Sequence, residues 1–450
     1  MSSLLNVSDR ISKQANYRNI NKLTNTNLRN RKINCIDLIL SFVSYTSIGS
    51  THQSITSSIN MESSYDISRQ ALIKKQENFP IEFFELFSDI ILDENNKINK
   101  NPKIIAIDGT YNNNYCGQVM SNIGLFDINN NMPIDLKFTG SKRNNEVKEF
   151  TKYIKNNIDL FKDNIIVGDR AYYSFDFIDF LTKNNINYII RVKKNGDTLN
   201  PNKKLSAINS KNQKIINIRK TSRIVNFEKL TNKKVRTIHK KYTKIVIKTD
   251  CTMITNLSEN KFSDEEISDL YNKRWDVELF FKLIKNNFKF QYINEKSDTK
   301  YKKIYATILI LIHLAKLLEK EYMMNKKVDD FITDKNGKKV KCTVKINLSN
   351  IIKGLIESNF IKLMLKGQLS MRKINIFMKS YIIIKKNKLD RSFSRKAKRP
   401  FSKWHLKGYS EINQYGRIID ALLTDTVDKL NKNLKLMAKR IVKIGRKKFN

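Results

Sequence analysis

Sulfur and imidazole ligands are scarce in this chain of 450 residues. Its four cysteines, Cys35, Cys116, Cys251 and Cys342, are too scattered for a CxxC half-site or a dense disulfide framework, which fits a reducing compartment. Of the four histidines, His52, His239, His313 and His405, no two lie at metal-ligand spacing, which argues against structural zinc. Any metal must therefore be held by oxygen. Long hydrophobic runs are lacking as well. The opening MSSLLNVSDRISKQ has no apolar signal core, and the longest apolar stretch, IYATILILIHLAKLL from Ile304, is interrupted by His313 and Lys316. Neither export nor a membrane span is expected. The expected compartment is the cytoplasm or nucleoid of a bacterial host, or the nucleus or viral factory of a eukaryotic or viral one.

Acidic residues are also in short supply: 43 Asp and Glu face 85 Lys and Arg, a formal charge of +42. Such an excess calls for a polyanion. Nucleic acid is the first candidate, because cations that neutralise phosphates release condensed counterions and so supply affinity. An anionic membrane surface is the alternative, but its ligands usually concentrate in one amphipathic or juxtamembrane cluster, and here the basic residues run along nearly the whole chain. With 40% hydrophobic residues there is ample material for packed cores, and the length predicts two to four substructures.

Residues 1–34 are polar, and are expected to be frayed or helical only on contact with a partner. From Ile36 to about Leu92 the pattern is helical. Within it HQSITSSINMESSYDISRQALIKKQ reads as two short helices around a turn, with Asp66 or Ser68 capping the second. The pair suits a helix-turn-helix, although plain packing explains such pairs too. After Asn101 the period changes. IIAIDGT, CGQVMSNIGLFD and MPIDLKFTG read as three strands; a helix at 145–156, a strand in NIIVGDR, a helix in FDFIDFLTK and a strand in NYIIRV follow. The order βββαβαβ is the skeleton of a ribonuclease H-like α/β fold with a mixed sheet.

Residues 193–255, with KIINIRK, RIVNFEKL, KVRTIHK, TKIVIKTD and TMITNL, read as a mainly β insertion. A capping box of Ser263 and Glu266 opens a long helix to about Asn287, and a second long helix spans 299–325. The remainder reads as mostly helical. It includes KKNKLDRSFSRKAKRPFSKWHLK, in which Arg395, Lys396, Lys398 and Arg399 form the densest part of a candidate phosphate-tracking surface; a solvated face or a nuclear-targeting cluster reads the same way. The expected division is 1–100 (helical, DNA-binding), 101–192 and 261–326 (catalytic core), 193–260 (insertion) and 327–450 (basic and mostly helical).

Asp108 and Asp169 each follow an apolar strand, where a lone Asp is usually a turn or cap residue. More informative is YNKRWDVELFFKLIK, where Tyr271, Arg274, Glu278 and Lys285 stand at the spacing Y-x2-R-x3-E-x6-K. At about 100° per residue they share a wedge roughly 60° wide, beside a core stripe of Leu270, Val277, Phe281, Ile284 and Phe288. An i,i+4 surface pair of Arg274 with Glu278 is the plainer explanation of that pair alone. Trp275, beside the signature, reads as packing ahead of base stacking.

From about Ile104 to the helix after Lys285 the chain resembles the DDE transposases of insertion sequences, in the subgroup with the Tyr-Arg-Glu-Lys signature. The resemblance implies a ribonuclease H-like core and a catalytic triad of Asp108, Asp169 and Glu278. These would hold two Mg²⁺, with Mn²⁺ able to substitute. It implies double-stranded DNA as partner, both transposon ends and target, and a homodimer in the DNA complex. Tyr271, Arg274 and Lys285 would contact phosphates at the transposon end, Arg191 matches a position often basic in the family, and Phe227 or Tyr242 would receive a flipped base. Two-metal phosphodiester chemistry agrees, since carboxylates suit Mg²⁺ where His or Cys would favour zinc. The rival expectations are a ribonuclease H-like nuclease without joining activity, an inactive transposase-derived DNA-binding protein, and a basic protein that coats nucleic acid.

Overall fold

A computed structural model describes residues 2–29, 32–62, 66–97, 103–113, 119–140, 145–192, 210–236, 242–291, 293, 295, 297–324, 331–333, 339–386 and 392–393. The chain divides into two compact units, Met1–Leu230 with Lys248–Asn387, and Thr231–Ile247 with Lys388–Asn450.

The first unit opens with six helices: α1 (Ser3–Gln14), α2 (Tyr17–Thr24), α3 (Cys35–Tyr45), α4 (His52–Glu62), α5 (Arg69–Asn78) and α6 (Glu82–Asn96). The expectation of a frayed N-terminus is corrected here. Leu4, Val7 and Ile11 recur at helical spacing, are fully buried, and pack α1 against α6. Ser68, as expected, caps α5 by accepting from the Ala71 amide.

The sheet follows. Strands β1 (Ile104–Asn113), β2 (Val119–Asp127) and β3 (Met132–Gly140) form an antiparallel meander, and the turn into β3 is made by Asn131 in a left-handed conformation (φ 50). Helices α7 (Glu146–Asn156) and α8 (Ile158–Phe161) lead to β4 (Ile165–Gly168), and α9 (Phe175–Lys183) leads to β5 (Asn187–Arg191). Both β4 and β5 run parallel to their neighbours on the β1 side. Next come α10 (Ser210–Thr221), β6 (Arg223–Arg236) and β7 (Tyr242–Thr255). In the first unit the strand order is β6-β7-β5-β4-β1-β2-β3, a seven-stranded mixed sheet. KIINIRK, expected as a strand, lies in α10. Ile215 and Ile218 stand three apart on one helical face and are buried as α10 packs on α9.

The expected long helix after Ser263 is two helices, α11 (Asp264–Lys273) and α12 (Trp275–Asn287). At the junction Arg274 N–H donates to Tyr271 O and Val277 N–H to Arg274 O, three-residue spacings that tighten the turn. Helix α13 (Asp298–Met324) is apolar around most of its circumference and lies buried against α6 and β3. Beyond it, strands β8 (Phe331–Thr333) and β9 (Lys339–Ile346), helices α14 (Leu348–Glu357), α15 (Phe360–Leu365) and α16 (Met371–Lys379), and strand β10 (Ile382–Lys386) alternate. The order β10-β9-β8 makes a second, three-stranded sheet, which the mostly helical expectation for this region missed. No helix among the described residues is long and apolar enough to cross a membrane.

In the second unit, β6 and β7 continue through 231–236 and 242–247, and β11 (Ser392–Phe393) pairs parallel with Val235 and Arg236.

Period-2 alternation sorts the main sheet into two faces. Ile104, Ala106, Ile165 and Val167 pack on the side of α12 and α13, whereas Ile105, Ile107, Ile166 and Ile190 pack on the side of α7 and α9.

Candidate active site

That alternation aims the next residues of β1. Asp108 and Thr110 follow Ala106 toward α12, while Gly109 follows Ile107 toward α7. Asp108 is not at the end of its strand, as the sequence suggests, because β1 continues to Asn113 alongside β2. It is β4 that stops. The parallel register pairs Ala106 with Val167, so two residues further on Asp108 comes level with Asp169, just past the end of β4. Asp169 turns the chain by capping a single 3-10 turn, its carboxylate accepting from the Ala171 amide at 2.7 Å.

Helix α12 brings the remaining groups. Val277, Phe281, Ile284 and Phe288 are buried as expected, Leu270 is partly so, and Phe280 is buried too. Each fully buried aromatic contributes on the order of 2 kcal/mol. The helix sits close to the sheet because Gly124 of β2 has no Cβ: one built there would stand 2.6 Å from the Phe281 ring. Trp275 faces outward and is 56% exposed, so the packing expectation for it is corrected.

Arg274, at the break between α11 and α12, donates from Nη2 to Glu278 Oε1 at 2.6 Å, and its Nη1 lies 3.8 Å from Asp108 Oδ2. One guanidinium thus spans both carboxylates, which bounds their separation at about 9 Å. The plain surface-pair reading of Arg274 and Glu278 does not describe this, since the arginine side chain is 12% exposed and reaches across to β1. Lys285 Nζ donates to Thr110 Oγ1 at 2.5 Å. The Tyr271 ring lies under Arg274, with the guanidinium carbon 5.9 Å from the ring centroid, and Arg191 hydrogen-bonds the Tyr271 hydroxyl. Burial pushes the Tyr271 phenol above its ordinary range, against the pull of Arg274 and Arg191. Tyr271 and Glu278 are therefore gathered around the Arg274 guanidinium despite the break in the helix, with Arg191 beside Tyr271 and Lys285 set on Thr110 of β1.

Asp108 is a strongly perturbed acid. Burial pushes its pKa up to about 7; Arg274 opposes the rise, while Asp169 and Glu146 add to it. Glu146, in the first turn of α7, is a group that sequence reasoning missed. Its carboxyl fills the space beside Gly109 that a Cβ there would need. Nothing local marks it, because a first-turn Glu is an ordinary helix feature.

Among the described residues no three His, Cys, Asp or Glu side chains converge on a single ion position. The donors nevertheless fit a hard divalent cation in kind: they are carboxylate oxygens, partly buried, with Arg274 lying between two of them. Arg395, Lys396, Lys398 and Arg399 lie outside the described residues, as do the side chains of Phe227 and Tyr242.

The chain has no match among curated proteins. Residues 101–311, from just before β1 into α13, match the family model described as the transposase DDE domain, which supports a transposase with this segment at its centre.

Proposed function

We propose that this protein is a DDE transposase, which cleaves DNA at the ends of a mobile element and joins the freed ends to target DNA, with Asp108, Asp169 and Glu278 as its catalytic acids. The observation that carries the reading is the meeting of β1 and α12 through Arg274, beside Asp169, inside the segment that matches the transposase DDE domain. The βββαβαβ order and the mixed sheet support a ribonuclease H-like core.

DDE transposases generally use divalent metals, and bound cations of this class activate the attacking hydroxyl and offset charge at the leaving oxygen. Asp108 would hold them from within β1, Asp169 from just past the end of β4, and Glu278 from α12. The chain's own cations have other tasks. Arg274 compensates Asp108 and Glu278, and its fork of N–H donors would suit a phosphate where cations held the two carboxylates. Lys285 and Arg191, anchored on Thr110 and Tyr271, border the acids where the phosphates flanking the scissile bond would lie. Double-stranded DNA as substrate also accounts for the +42 charge.

The test is Asp108→Asn, Asp169→Asn and Glu278→Gln, assayed for nicking of element-end DNA and for binding by gel shift. Each is expected to lose at least about 10³-fold in cleavage, since each removes a ligand of the charge-stabilising cations, with binding within a few-fold. Nicking at the normal rate by any one variant would remove that residue from the catalytic set.

A further inference from the structure

We propose that Asn112 is a positioning residue, whose hydrogen bond to the Phe290 carbonyl sets where α12 lies along β1 and therefore how far Glu278 stands from Asp108. The inference rests on the transposase reading for the use made of those two acids.

The face of β1 that meets α12 carries Asp108, Thr110 and Asn112, each about 7 Å from the next. Each is tied to a later point of the helix. Asp108 meets Arg274 at its start, Thr110 meets Lys285 in its last turn, and Asn112 meets Phe290 in the single 3-10 turn Lys289–Gln291 that follows. The three ties are not equivalent. Arginine and lysine are long and jointed, so both keep hold of their partners while a helix shifts by one residue's rise, about 1.5 Å. Asn112 has only two side-chain torsions, and its Nδ2 donates to a backbone carbonyl at 2.8 Å. Burial of Phe280, Phe281 and Ile284 holds α12 down on the sheet, but that attraction is non-directional.

Asn112 is itself held rigidly. It is buried, and its Oδ1 accepts from Asn122 Nδ2 at 2.7 Å and from the Tyr305 hydroxyl at 3.2 Å. Asn122 belongs to β2 and Tyr305 to α13, where the tyrosine ring stacks on that of Phe290 with centroids 5.0 Å apart. With its oxygen engaged twice, the amide has one orientation, and Nδ2 faces Phe290. On its far side the turn is held from just past the end of α3, the Lys289 amide donating to Thr46 O at 2.8 Å. Without Asn112 the turn, and α12 with it, would follow the N-terminal helices in place of β1. A misplacement of about 1 Å is enough to cost a large part of a rate when two groups must act on one centre.

The experiment compares Asn112→Leu, close in size but unable to donate, with Tyr305→Phe, which removes one bond to Asn112 and leaves its hold on Phe290. Each full-length variant is assayed for cleavage of saturating element-end DNA, for binding by gel shift, and for amide hydrogen exchange read by mass spectrometry. Asn112→Leu is expected to cleave at least about tenfold more slowly with binding within about twofold, and to exchange at least about tenfold faster in α12 and the turn, with α1 to α6 unchanged. Tyr305→Phe should stay within about threefold of wild type in all three. Should Asn112→Leu fail to fold, Asn112→Ala, which leaves room for water beside the Phe290 carbonyl, takes its place. Asp108→Asn is the control for the underlying reading. Wild-type cleavage by the Asn112 variant beside an inactive Asp108→Asn would overturn the role of Asn112 and leave the transposase site standing. Equal losses in Asn112→Leu and Tyr305→Phe, or exchange raised throughout the chain, would overturn it too, by making Asn112 plain scaffold. Full cleavage by Asp108→Asn would sink the transposase reading, and the exchange of α12 would then decide by itself whether Asn112 holds the helix.

Discussion

Along α13, His313 is fully enclosed and both of its ring nitrogens are used. Nε2 lies 2.7 Å from the Pro133 carbonyl, which can only accept, so Nε2 carries the proton and Nδ1 accepts from Ser88 Oγ at 3.1 Å. Lys303, on the same helix, donates to the carbonyls of Gln76 and Glu77, and burial lowers it to about 8. Around Asp108 the treatment of buried polar groups is different. One guanidinium is shared between two carboxylates, Asp108 is pushed toward neutrality, and among the described residues the buried Tyr172 hydroxyl, in the turn after Asp169, has no hydrogen-bond partner. Both regions bury polar atoms under similar apolar walls. The first meets its buried polar atoms with uncharged partners and so holds the fold, whereas the second, the less committed of the two, rests Asp108 and Glu278 on one shared guanidinium and keeps a perturbed acid, the pattern common at functional sites.

The contrast is sharpest at Arg274. If it belongs to the less committed region, Arg274→Gln should lower the rate of DNA cleavage about 10²-fold or more, the usual cost of removing one charge-stabilising donor. Its melting temperature should move by only a few degrees, because the two carboxylates it leaves are 22% and 33% exposed and solvent ions can reach them. Cleavage assays beside thermal melts decide this. A large fall in melting temperature with cleavage per folded molecule unchanged would make Arg274 part of the scaffold and erase the distinction.

The scaffold side is tested by pH. His313 has its pKa lowered from 6.5 to about 4 by burial, with the Pro133 hydrogen bond opposing. Between those values the unfolded chain binds a proton that the folded chain refuses, so stability falls as pH drops below about 6.5 and the loss levels off near 4. From pH 7 to pH 5 this group alone should cost about 2 kcal/mol. His52, also lowered by burial, acts in the same direction, so the difference between proteins is the readout. In His313→Gln, which has no proton to take up there, urea denaturation should show a correspondingly shallower pH dependence. Equal slopes would mean that water reaches His313.

Much of this was readable in advance, and the failures have physical causes. The strands carrying Asp108 and Asp169, the helices between them and the signature of Tyr271, Arg274, Glu278 and Lys285 announce themselves by local periodicity. Local periodicity is blind to what the register does. That Asp108 lies in mid-strand follows from where β2 continues and β4 stops, and the meeting of Glu146 with Gly109 follows from which face each residue takes. The break at Arg274 escapes a helical wheel because that residue keeps right-handed helical torsions (φ -50, ψ -29) while the hydrogen bonds shift to three-residue spacing. In α10 the pair Ile215 and Ile218 suits a helix, but the β-branched composition of KIINIRK suits a strand, and contact with α9 decides. Trp275 was misread because a large aromatic beside a core stripe is usually drawn inward.

The smallest expected effect lies where scaffold and site adjoin, at the start of α11. Ser263 accepts from the Glu266 amide at 3.2 Å, and Glu266 returns the contact to the Ser263 amide at 2.8 Å. Arg223 reinforces this corner, donating to the carbonyls of Leu257 and Phe262 and pairing with Asp264. Ser263→Ala removes half of the capping box and should cost about 1 kcal/mol, with Arg223 holding the first turn against complete fraying. Tyr271 lies two turns further along, on the part of α11 fixed by Arg191 and Arg274, so the loss should not reach it. Denaturant unfolding is therefore expected to shift modestly, and cleavage should stay within about twofold of wild type, as for a surface cap away from the chemistry. A tenfold loss of cleavage for that small a change in stability would show that the first turn of α11 sets the position of Tyr271. The boundary between the more and the less committed region would then run through the cap and not through the break at Arg274.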